Sequence, residues 1–218
     1  MSNLQNVQRA AVELFAERGY TATGIRDIAK RVGLTSAALY HYTGGKEMLL
    51  AGVMRDSLVE LLARGREALA SSDDPAVQLA RLVTMHVGVQ AFNPCSARVT
   101  DSEIRSLSAA NKDTVVSLRN EYESLWQTVL DSGVRGGQFH VQDTRIARLA
   151  LIEMCNGVVN WFKPDGRMSV AEIQAHFVEL ACGLAGSRKL RAEECGEPVT
   201  VPRFSFEPDV TPAFLKSA

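Results

Sequence analysis

Residues 26–49 decide the fold of the N-terminal region: they read RDIAKRVGL (26–34), TSAALYHY (35–42) and TGGKEML (43–49). The first segment belongs to a short helix that Thr23 can cap and that Gly33 ends. Thr35 can cap a second short helix, because its hydroxyl can accept a hydrogen bond from a free backbone N–H of the first turn. Two short helices joined by three residues have the spacing of a helix-turn-helix motif.

The second helix of such a motif enters the major groove of DNA, and its residues here suit that role. Thr35 and Ser36 bring hydroxyls and free backbone N–H groups to the helix start, where a phosphate can bind. Ala38 keeps the helix face thin enough to approach base edges and thymine methyl groups. Tyr40 and His41 supply polar groups at the far end of the helix.

Lys46 supports the same interpretation from the start of the next helix. The positive end of the helix dipole disfavours a cation there by roughly a few tenths of a kcal/mol. A DNA phosphate nearby would explain the lysine. Of the remaining side chains in this stretch, Leu39 is expected in the core and Tyr42 partly so.

Charge is distributed unevenly along the chain. Residues 1–50 carry six Lys and Arg against four acidic residues, whereas the whole chain of 218 residues carries 24 against 25. A mildly basic N-terminal segment on an acidic body fits an anionic partner at that end.

Helical periodicity continues through the chain, and alternating strand-like patterns are almost absent. We therefore predict an all-α protein of about nine helices. Beyond the helix-turn-helix pair they span about 4–18, 46–70, 75–93, a short segment from a capping box of Thr100 and Glu103, 110–132, 144–162 and 170–187. Residues from about 189 onward form an irregular tail that holds four of the seven prolines, with Phe204, Phe206 and Phe214 as residues that could pack on the body.

The last two predicted helices differ from the others. The segment 144–162 is apolar on nearly all sides, and a helix without a polar face is buried on both sides. The segment 170–187 alternates large apolar residues with small ones that allow close helix approach. We interpret the pair as a homodimer interface in the form of a four-helix bundle, with contacts from Ile152, Val159, Phe177, Leu180, Ala181 and Leu184.

Composition excludes several other classes of protein. No apolar run is long enough to cross a membrane, and residues 1–15 do not have the pattern of a signal peptide, so we expect a cytoplasmic protein without a membrane partner. The four cysteines form no CxxC pair and are interpreted as reduced thiols. Nucleotide-binding and hydrolase motifs are absent and the four histidines are dispersed, so we expect no catalytic residues, no metal site, no cofactor and no enzyme activity.

Residues 10–49, AAVELFAERGYTATGIRDIAKRVGLTSAALYHYTGGKEML, resemble the tetracycline-repressor (TetR) family of bacterial regulators. The segment GVRGGQF (133–139) gives a second, weaker match. The resemblance implies a dimer whose first three helices bind a palindromic operator in double-stranded DNA. It also implies a C-terminal domain that binds a small molecule and dimerises through its last two helices.

This resemblance defines the expected domains and DNA contacts. Residues 1–45 would form the DNA-binding domain and 46–188 the ligand-binding and dimerisation domain, with helix 46–70 as connector and 189–218 as tail. The expected DNA contacts are Thr23, Arg26, Thr35, Ser36, Ala38, Tyr40, His41 and Lys46. Two positions depart from the family pattern: Thr43 stands where Phe is frequent, which weakens packing between the third and fourth helices, and Gly24 replaces a second Thr.

The ligand domain is less easily interpreted. Eight apolar, aromatic or histidine side chains could line a pocket or could be ordinary core: Met85, His86, Val89, Phe92, Tyr122, Trp126, Met154 and Trp161. Polar anchors are expected among Gln90, Arg119, Asn156 and Asn160. The segment 156–173 resembles family members that control fatty-acid, branched-chain acid or sterol breakdown and respond to acyl-CoA thioesters. A repressor of efflux genes that responds to a drug-like compound, and a helical protein–protein interaction module, stay open as alternatives.

Overall fold

The computed structural model describes residues 3–190, 192–195 and 200–209. These residues are helical or irregular and contain no strand, which confirms the all-α prediction. The α-helices are α1 (Asn3–Arg18), α2 (Ile25–Arg31), α3 (Ser36–Thr43), α4 (Lys46–Ala70), α5 (Pro75–Phe92), α6 (Pro94–Ser102), α7 (Ala109–Arg135), α8 (Thr144–Asn156), α9 (Val158–Trp161) and α10 (Val170–Ala185). Two 3-10 turns lie at Ile104–Ser106 and Ala192–Cys195.

Packing divides the chain into two compact units. The first contains Met1–Val59, Asn93–Leu118 and Arg203–Ala218, and the second contains Glu60–Phe92 and Arg119–Pro202. The sequence-based division at residues 45 and 188 concerns function and stays a prediction.

The core of the first unit forms on the apolar stripe of α1. Val7, Ala11, Leu14 and Phe15 are buried there, as the spacing of apolar residues predicts. The helix ends at Gly19, whose positive φ of 81° is one that glycine adopts readily. The backbone N–H of Gly19 donates to the carbonyl of Phe15 and closes the last turn.

Helix starts differ from the sequence prediction at two places. The α2 helix has Gly24 rather than Thr23 at its N-cap, and the Asp27 carboxylate accepts a hydrogen bond of 2.9 Å from the Gly24 N–H. The α6 helix begins at Pro94, so Thr100 lies inside it and the expected capping box with Glu103 does not exist. Proline suits the first helical position, and it therefore starts α6 instead of only ending α5.

Two further helices have different ends from those predicted. Gly133 was expected to end the seventh helix, but α7 continues to Arg135. A Cβ atom on Gly133 would lie 2.1 Å from a ring carbon of Phe139, so this glycine makes room for an aromatic side chain. The predicted helix 144–162 is interrupted at Gly157, which separates α8 from the single turn α9.

The second unit is organised around α5, which is buried on almost every side. It packs against α8, α9 and α10. Asp74 caps its start by accepting a hydrogen bond of 2.9 Å from the Ala76 N–H. Gln174 on α10 donates a hydrogen bond of 2.8 Å to the Thr84 carbonyl on α5, which fixes the two helices together.

The tail is irregular where the structure describes it, apart from the 3-10 turn at Ala192–Cys195. Phe204 and Phe206 are buried in the first unit, which confirms that part of the tail packs on the body. Phe214 lies outside the described residues. Among the described residues, the helices are too short or too polar to cross a bilayer.

Candidate DNA-reading surface and effector site

The helix-turn-helix pair is built as the sequence predicts. Thr35 caps α3, since its Oγ1 atom accepts a hydrogen bond of 3.2 Å from the Ala38 N–H. Leu39 is fully buried and anchors the helix to the core. Tyr40 and His41 lie on the exposed side of the same helix. The arrangement leaves one face of α3 free to meet a large partner.

The eight predicted DNA contacts fall into three groups by exposure. Arg26, Thr35, Tyr40 and His41 are exposed. Ser36, Ala38 and Lys46 are half-buried, and Thr23 is buried. Tyr42, which was expected to lie partly in the core, is as exposed as Tyr40, at 51% against 53%.

The Thr23 side chain is buried and makes hydrogen bonds within the protein. Only 1% of it is exposed. Its hydroxyl donates toward the carbonyl oxygens of Gly19, at 2.8 Å, and Leu14, at 3.2 Å. These contacts fasten the α1–α2 turn to the end of α1, so the expectation that Thr23 presents its hydroxyl to DNA is wrong.

Lys46 also has partners within the protein. Its Nζ atom donates hydrogen bonds of 2.8 Å to the carbonyl oxygens of both Tyr20 and Thr23. It lies 3.9 Å from the centroid of the Tyr20 ring, a cation–π distance. The lysine therefore joins the start of α4 to the α1–α2 turn, a role that the sequence argument missed. An ammonium has three N–H donors, so one stays available for a phosphate.

Thr43 and Gly24, which depart from the family pattern, both have local roles. The Thr43 hydroxyl donates to the Leu39 carbonyl at 2.8 Å and accepts from the Gly45 N–H at 3.3 Å. These hydrogen bonds close the end of α3 in place of aromatic packing. A Cβ atom on Gly24 would lie 3.0 Å from the Asp27 carboxylate that caps α2, so glycine fits this cap closely.

Two carboxylates hold the same unit together through contacts that sequence reasoning missed. Glu103 accepts a hydrogen bond of 3.0 Å from the Tyr20 N–H. Glu47 accepts hydrogen bonds from the Ser108 N–H at 2.8 Å and the Asn111 amide at 2.9 Å. A hydrogen bond from the Ser108 side chain, then those from the Asn111 amide and the Ser108 N–H, lower the pKa of Glu47. Burial, then the charges of Glu47 and Glu103, raises the pKa of Tyr20. Isolated glutamates carry no sequence pattern that would have revealed these contacts.

A buried polar cluster lies in the second unit between α5, α7 and α8. His86 Nδ1 is 2.7 Å from the Tyr122 hydroxyl, and His86 Nε2 is 2.8 Å from Asn156 Oδ1. Gln90 Nε2 donates to the same Asn156 oxygen at 3.3 Å. The Trp126 ring stands edge-on to the imidazole, with centroids 5.9 Å apart. These five residues are called the polar cluster below.

Burial fixes the charge state of this cluster. It lowers the pKa of His86 to about 4, although the hydrogen bond to Asn156 opposes the shift. The imidazole is therefore neutral at pH 7 and carries one N–H. Asn156 Oδ1 can only accept, so Nε2 holds the proton and Nδ1 accepts from Tyr122. The Gln90 amide nitrogen lies 3.3 Å from the same Nε2 and, being a donor as well, makes no hydrogen bond to the imidazole in this tautomer. Burial likewise raises the pKa of Tyr122, which stays a neutral donor.

One acceptor of the cluster has no partner. Among the described residues, Gln90 Oε1 is buried without a hydrogen bond. Leaving such an atom unpaired costs about 1–3 kcal/mol. A hydrogen-bond donor placed beside this buried acceptor would remove that cost.

The predicted pocket residues are only partly brought together. His86, Tyr122 and Trp126 are in mutual ring contact. The remaining five lie as follows: Met85 and Val89 are buried on α5, Met154 is half-buried, and Phe92 and Trp161 are exposed. Trp161 contacts the Phe177 ring at a centroid distance of 6.1 Å. Of the predicted anchors, Gln90 and Asn156 belong to the cluster and Asn160 is exposed.

The residues predicted to form the dimer interface also differ in exposure. Leu180 and Leu184 are exposed on α10, at 57% and 37%, and Ile152 and Phe177 are half-buried. Val159 and Ala181 are buried within the protomer, so the expectation that they face a partner is wrong. Ile146 and Leu149 on α8 are exposed and were missed. The sequence contained a sign of this exposure, because they are the large apolar residues of the first turns of α8.

These features define a helical DNA-binding regulator with a separate effector domain. Two family models match the chain: "Bacterial regulatory proteins, tetR family" at residues 8–53, and "Tetracyclin repressor-like, C-terminal domain" at residues 72–185. The chain belongs to the TetR family of transcriptional regulators. It is a DNA-binding regulator of transcription and not an enzyme.

Several known proteins are similar to this chain in sequence or in fold. The HTH-type transcriptional repressor KstR2 of Rhodococcus jostii is 33% identical over 178 residues, which are 80% of this chain and 87% of that protein. The fatty acid metabolism regulator protein of Bacillus subtilis is 24% identical over 173 residues, 78% and 89% of the two chains. AibR, solved in complex with isovaleryl coenzyme A and operator DNA, superposes with a TM-score of 0.76 at 19% identity over 82% of this chain and 97% of AibR. TetR regulators bind operator DNA as dimers.

Proposed function

We propose that the protein is a dimeric repressor that an acyl-CoA thioester of lipid or sterol breakdown releases from a palindromic operator. The observation that carries the proposal is the buried polar cluster of the second unit, with its unpaired Gln90 Oε1. Ligand sites in proteins are mostly apolar with a few polar groups that fix orientation. The named relatives support the class of effector, since one regulates fatty acid metabolism and a protein of this fold binds isovaleryl coenzyme A.

Operator binding would use the exposed face of α3. Thr35 and Ser36 lie at its start, where phosphate oxygens can meet hydroxyl and backbone N–H groups. Ala38, Tyr40 and His41 would face base edges, and Arg26 on α2 would contact the backbone. Lys46 would reach a phosphate with its third N–H while it holds the α1–α2 turn. The protein would act in the cytoplasm, where operator DNA is available.

Dimer formation would use the apolar face of α8 and α10. Ile146 and Leu149 on one helix and Leu180 and Leu184 on the other are exposed in the protomer. Large exposed apolar residues on two neighbouring helices are typical of a protein interface. Two copies of this helix pair would form a four-helix bundle. The dimer would set the distance between two reading helices on successive major grooves.

The acyl group would enter the apolar surroundings of the cluster, and an N–H or hydroxyl donor of the effector would satisfy Gln90. A ligand can change DNA affinity only by binding one protein conformation more tightly than the other. The chain continues through α4 from the unit of α3 into the unit of the cluster. This helix is therefore the proposed route by which effector binding changes the reading surface.

The test is a titration of the purified protein against labelled duplex from immediately upstream of its own gene. Acyl-CoA thioesters of increasing chain length are then added, with the free acids and unacylated CoA as controls. Release by a thioester alone supports the proposal. Release by the free acid as well would show that the acyl group is sufficient for release from DNA without CoA. Release by drug-like hydrophobic compounds alone would favour the efflux-type alternative.

A pair of variants connects the response to the cluster. Gln90→Leu approximately keeps the size of the side chain and removes both the unpaired oxygen and the amide that donates to Asn156. The control is Gln138→Leu, because Gln138 is exposed and follows the end of α7. Gln174 is unsuitable as a control because its side chain forms a hydrogen bond with α5. We expect Gln90→Leu to weaken the effector and leave operator binding without effector unchanged. An unchanged effector response in Gln90→Leu would contradict the assigned site.

A further inference from the structure

The α6 helix starts without a side-chain cap of its own. Asn93, its N-cap residue, makes no capping hydrogen bond. Its Oδ1 atom instead accepts a hydrogen bond of 2.6 Å from the Phe204 N–H. Pro94 follows and has no N–H, so Cys95 and Ser96 present the first free N–H groups of the helix.

The carboxylate of Glu207 satisfies this helix start. Its Oε1 atom accepts a hydrogen bond of 2.8 Å from the Cys95 N–H, and its Oε2 atom accepts one of 3.0 Å from the Ser96 N–H and another from the Ser96 hydroxyl. Only 1% of Glu207 is exposed, and both partners are buried. Because water cannot replace the carboxylate there, the cap depends on this residue.

Further contacts hold the same segment on α1. The Arg9 guanidinium donates a hydrogen bond of 3.1 Å to the Ser205 carbonyl and forms an ion pair with Asp209. The rings of Phe204 and Phe206 are buried with centroids 5.4 Å apart. Residues 203–209 are called the C-terminal clasp below. The clasp lies outside both regions that match the family models.

The other end of α6 is tied to the reading unit. Glu103, which directly follows α6, accepts the hydrogen bond from the Tyr20 N–H in the α1–α2 turn. The helix also packs against α1. The clasp therefore holds one end of a nine-residue helix whose other end contacts the turn that leads into the helix-turn-helix pair.

We propose that Glu207 is a positioning residue for DNA binding. With its carboxylate on the start of α6, the helix keeps Glu103 on Tyr20, and the α1–α2 turn holds α2 and α3 in the arrangement that fits the operator. Without the carboxylate, two buried N–H groups lose their acceptor and α6 moves to find another. The inference rests on the DNA-binding function described above and adds a control point that does not involve the effector.

The test compares Glu207→Gln with Glu193→Gln in the full chain. Both changes remove one negative charge near the C-terminus, but Glu193 is exposed. In Glu207→Gln an amide replaces one of the two acceptor oxygens. We expect the Cys95 and Ser96 amides to exchange hydrogen about tenfold faster, and operator affinity to fall about tenfold. Glu193→Gln should match the wild type in both measurements.

Two additional readouts separate positioning from a general loss of folding. Circular dichroism at the assay temperature shows whether the variant is folded, and effector titration shows whether the ratio of operator affinities with and without effector is kept. We expect both to be unchanged. If Glu207→Gln does not fold, Asp209→Asn, at the exposed end of the clasp, replaces it, and a smaller loss of operator affinity in the same direction is expected.

The outcomes are distinct. Faster amide exchange with unchanged operator affinity overturns the proposal, because the clasp would then only cover the protein core. Unchanged exchange overturns the assigned cap. Loss of the effector response with intact operator binding would place Glu207 in the sensing function and also overturns it. Failure of the wild type to bind any duplex in a random-sequence selection would instead reject the DNA-binding function on which the inference rests.

Discussion

Lys46 Nζ donates a 2.8 Å hydrogen bond to the carbonyl oxygen of Tyr20 and lies 3.9 Å from the centroid of the same residue's ring. One cation thus satisfies a backbone acceptor of the α1–α2 turn and contacts the face of its aromatic side chain. Both contacts place the start of α4 against the segment that leads into α2. The residue is well placed to combine a structural and a DNA-contacting role.

Lys46→Ala should weaken binding to every duplex, whatever its sequence. The Tyr20 and Thr23 carbonyl oxygens lose a donor, and one phosphate contact is removed. Each phosphate contact contributes about 0.9 to the slope of log affinity against log salt concentration. We therefore expect the slope to fall by about one unit, measured by fluorescence anisotropy at several salt concentrations.

The control for this change is Lys30→Ala on the exposed surface of α2, which removes the same charge without the two internal hydrogen bonds. A fall in affinity with an unchanged salt slope would show that Lys46 only positions the turn. An unchanged affinity and slope would reject both roles.

Ala38→Gln should change which sequences are preferred. The side chain lies on α3 and is half-buried, so a longer residue there would alter the surface that approaches base edges. Glutamine pairs with adenine in the major groove, and one good contact is worth about 1–3 kcal/mol of discrimination. Selection from a random duplex library reads the change, with the exposed α4 residue Ala63→Gln as control. A uniform loss of affinity with the same preferred sequence would contradict this assignment.

The fold was largely predictable because the signals for a helix come from residues that are close together in sequence. The apolar spacing of Val7, Ala11 and Leu14 and the stop at Gly19 depend on neighbours in sequence. The wrong helix starts lie at positions where tertiary contacts decide which residue caps the helix. Thr23 and Gly24 are both acceptable N-caps, and only the hydrogen bonds of Thr23 to the end of α1 select Gly24.

The candidate site was less predictable for the same reason. Thr35, Leu39 and Tyr40 follow from the helix-turn-helix spacing alone. The polar cluster joins His86, Tyr122 and Asn156 from three helices, and the sequence does not show that these helices bring the three side chains together. Glu207 caps a helix more than 100 residues away in sequence, a pairing that no local pattern contains.

Gly133→Ala should destabilise the protein. The added Cβ would lie 2.1 Å from a ring carbon of buried Phe139, so the ring or the end of α7 must move. Overpacking of this kind costs about 1–3 kcal/mol. Urea denaturation measures the loss, and Gly136→Ala, at an exposed position with a normal backbone conformation, should cost much less. Equal stability of the two variants would show that Phe139 has free space to move.

Leu180→Glu should convert the dimer into monomers. The side chain is 57% exposed in the protomer, so a glutamate is tolerated there by a single chain but not within an apolar interface. Sedimentation velocity reads the change in mass, and operator affinity should fall because one reading helix binds a half-site alone. Glu179→Gln next to it serves as the control. A dimeric Leu180→Glu protein would place the interface elsewhere.

The buried His86 should make stability depend on pH. Burial lowers its pKa in the folded state to about 4, whereas an unfolded chain has the ordinary value near 6.5. Between these values the unfolded chain binds a proton that the folded chain does not. The free energy of unfolding therefore falls as the pH drops below about 6.5, and the loss is complete below about 4.

A shift of one pKa unit corresponds to about 1.4 kcal/mol, so protonation of His86 lowers the free energy of unfolding by about 3 kcal/mol in total. Urea denaturation of the wild type and of His86→Leu at a series of pH values isolates this part, since the variant has lower stability at pH 7 but a shallower decline toward pH 4. His176→Leu, on the exposed side of α10, should decline like the wild type. Parallel curves for His86→Leu and the wild type would mean that water reaches the imidazole, and the polar cluster would then be open to solvent as well as to an effector.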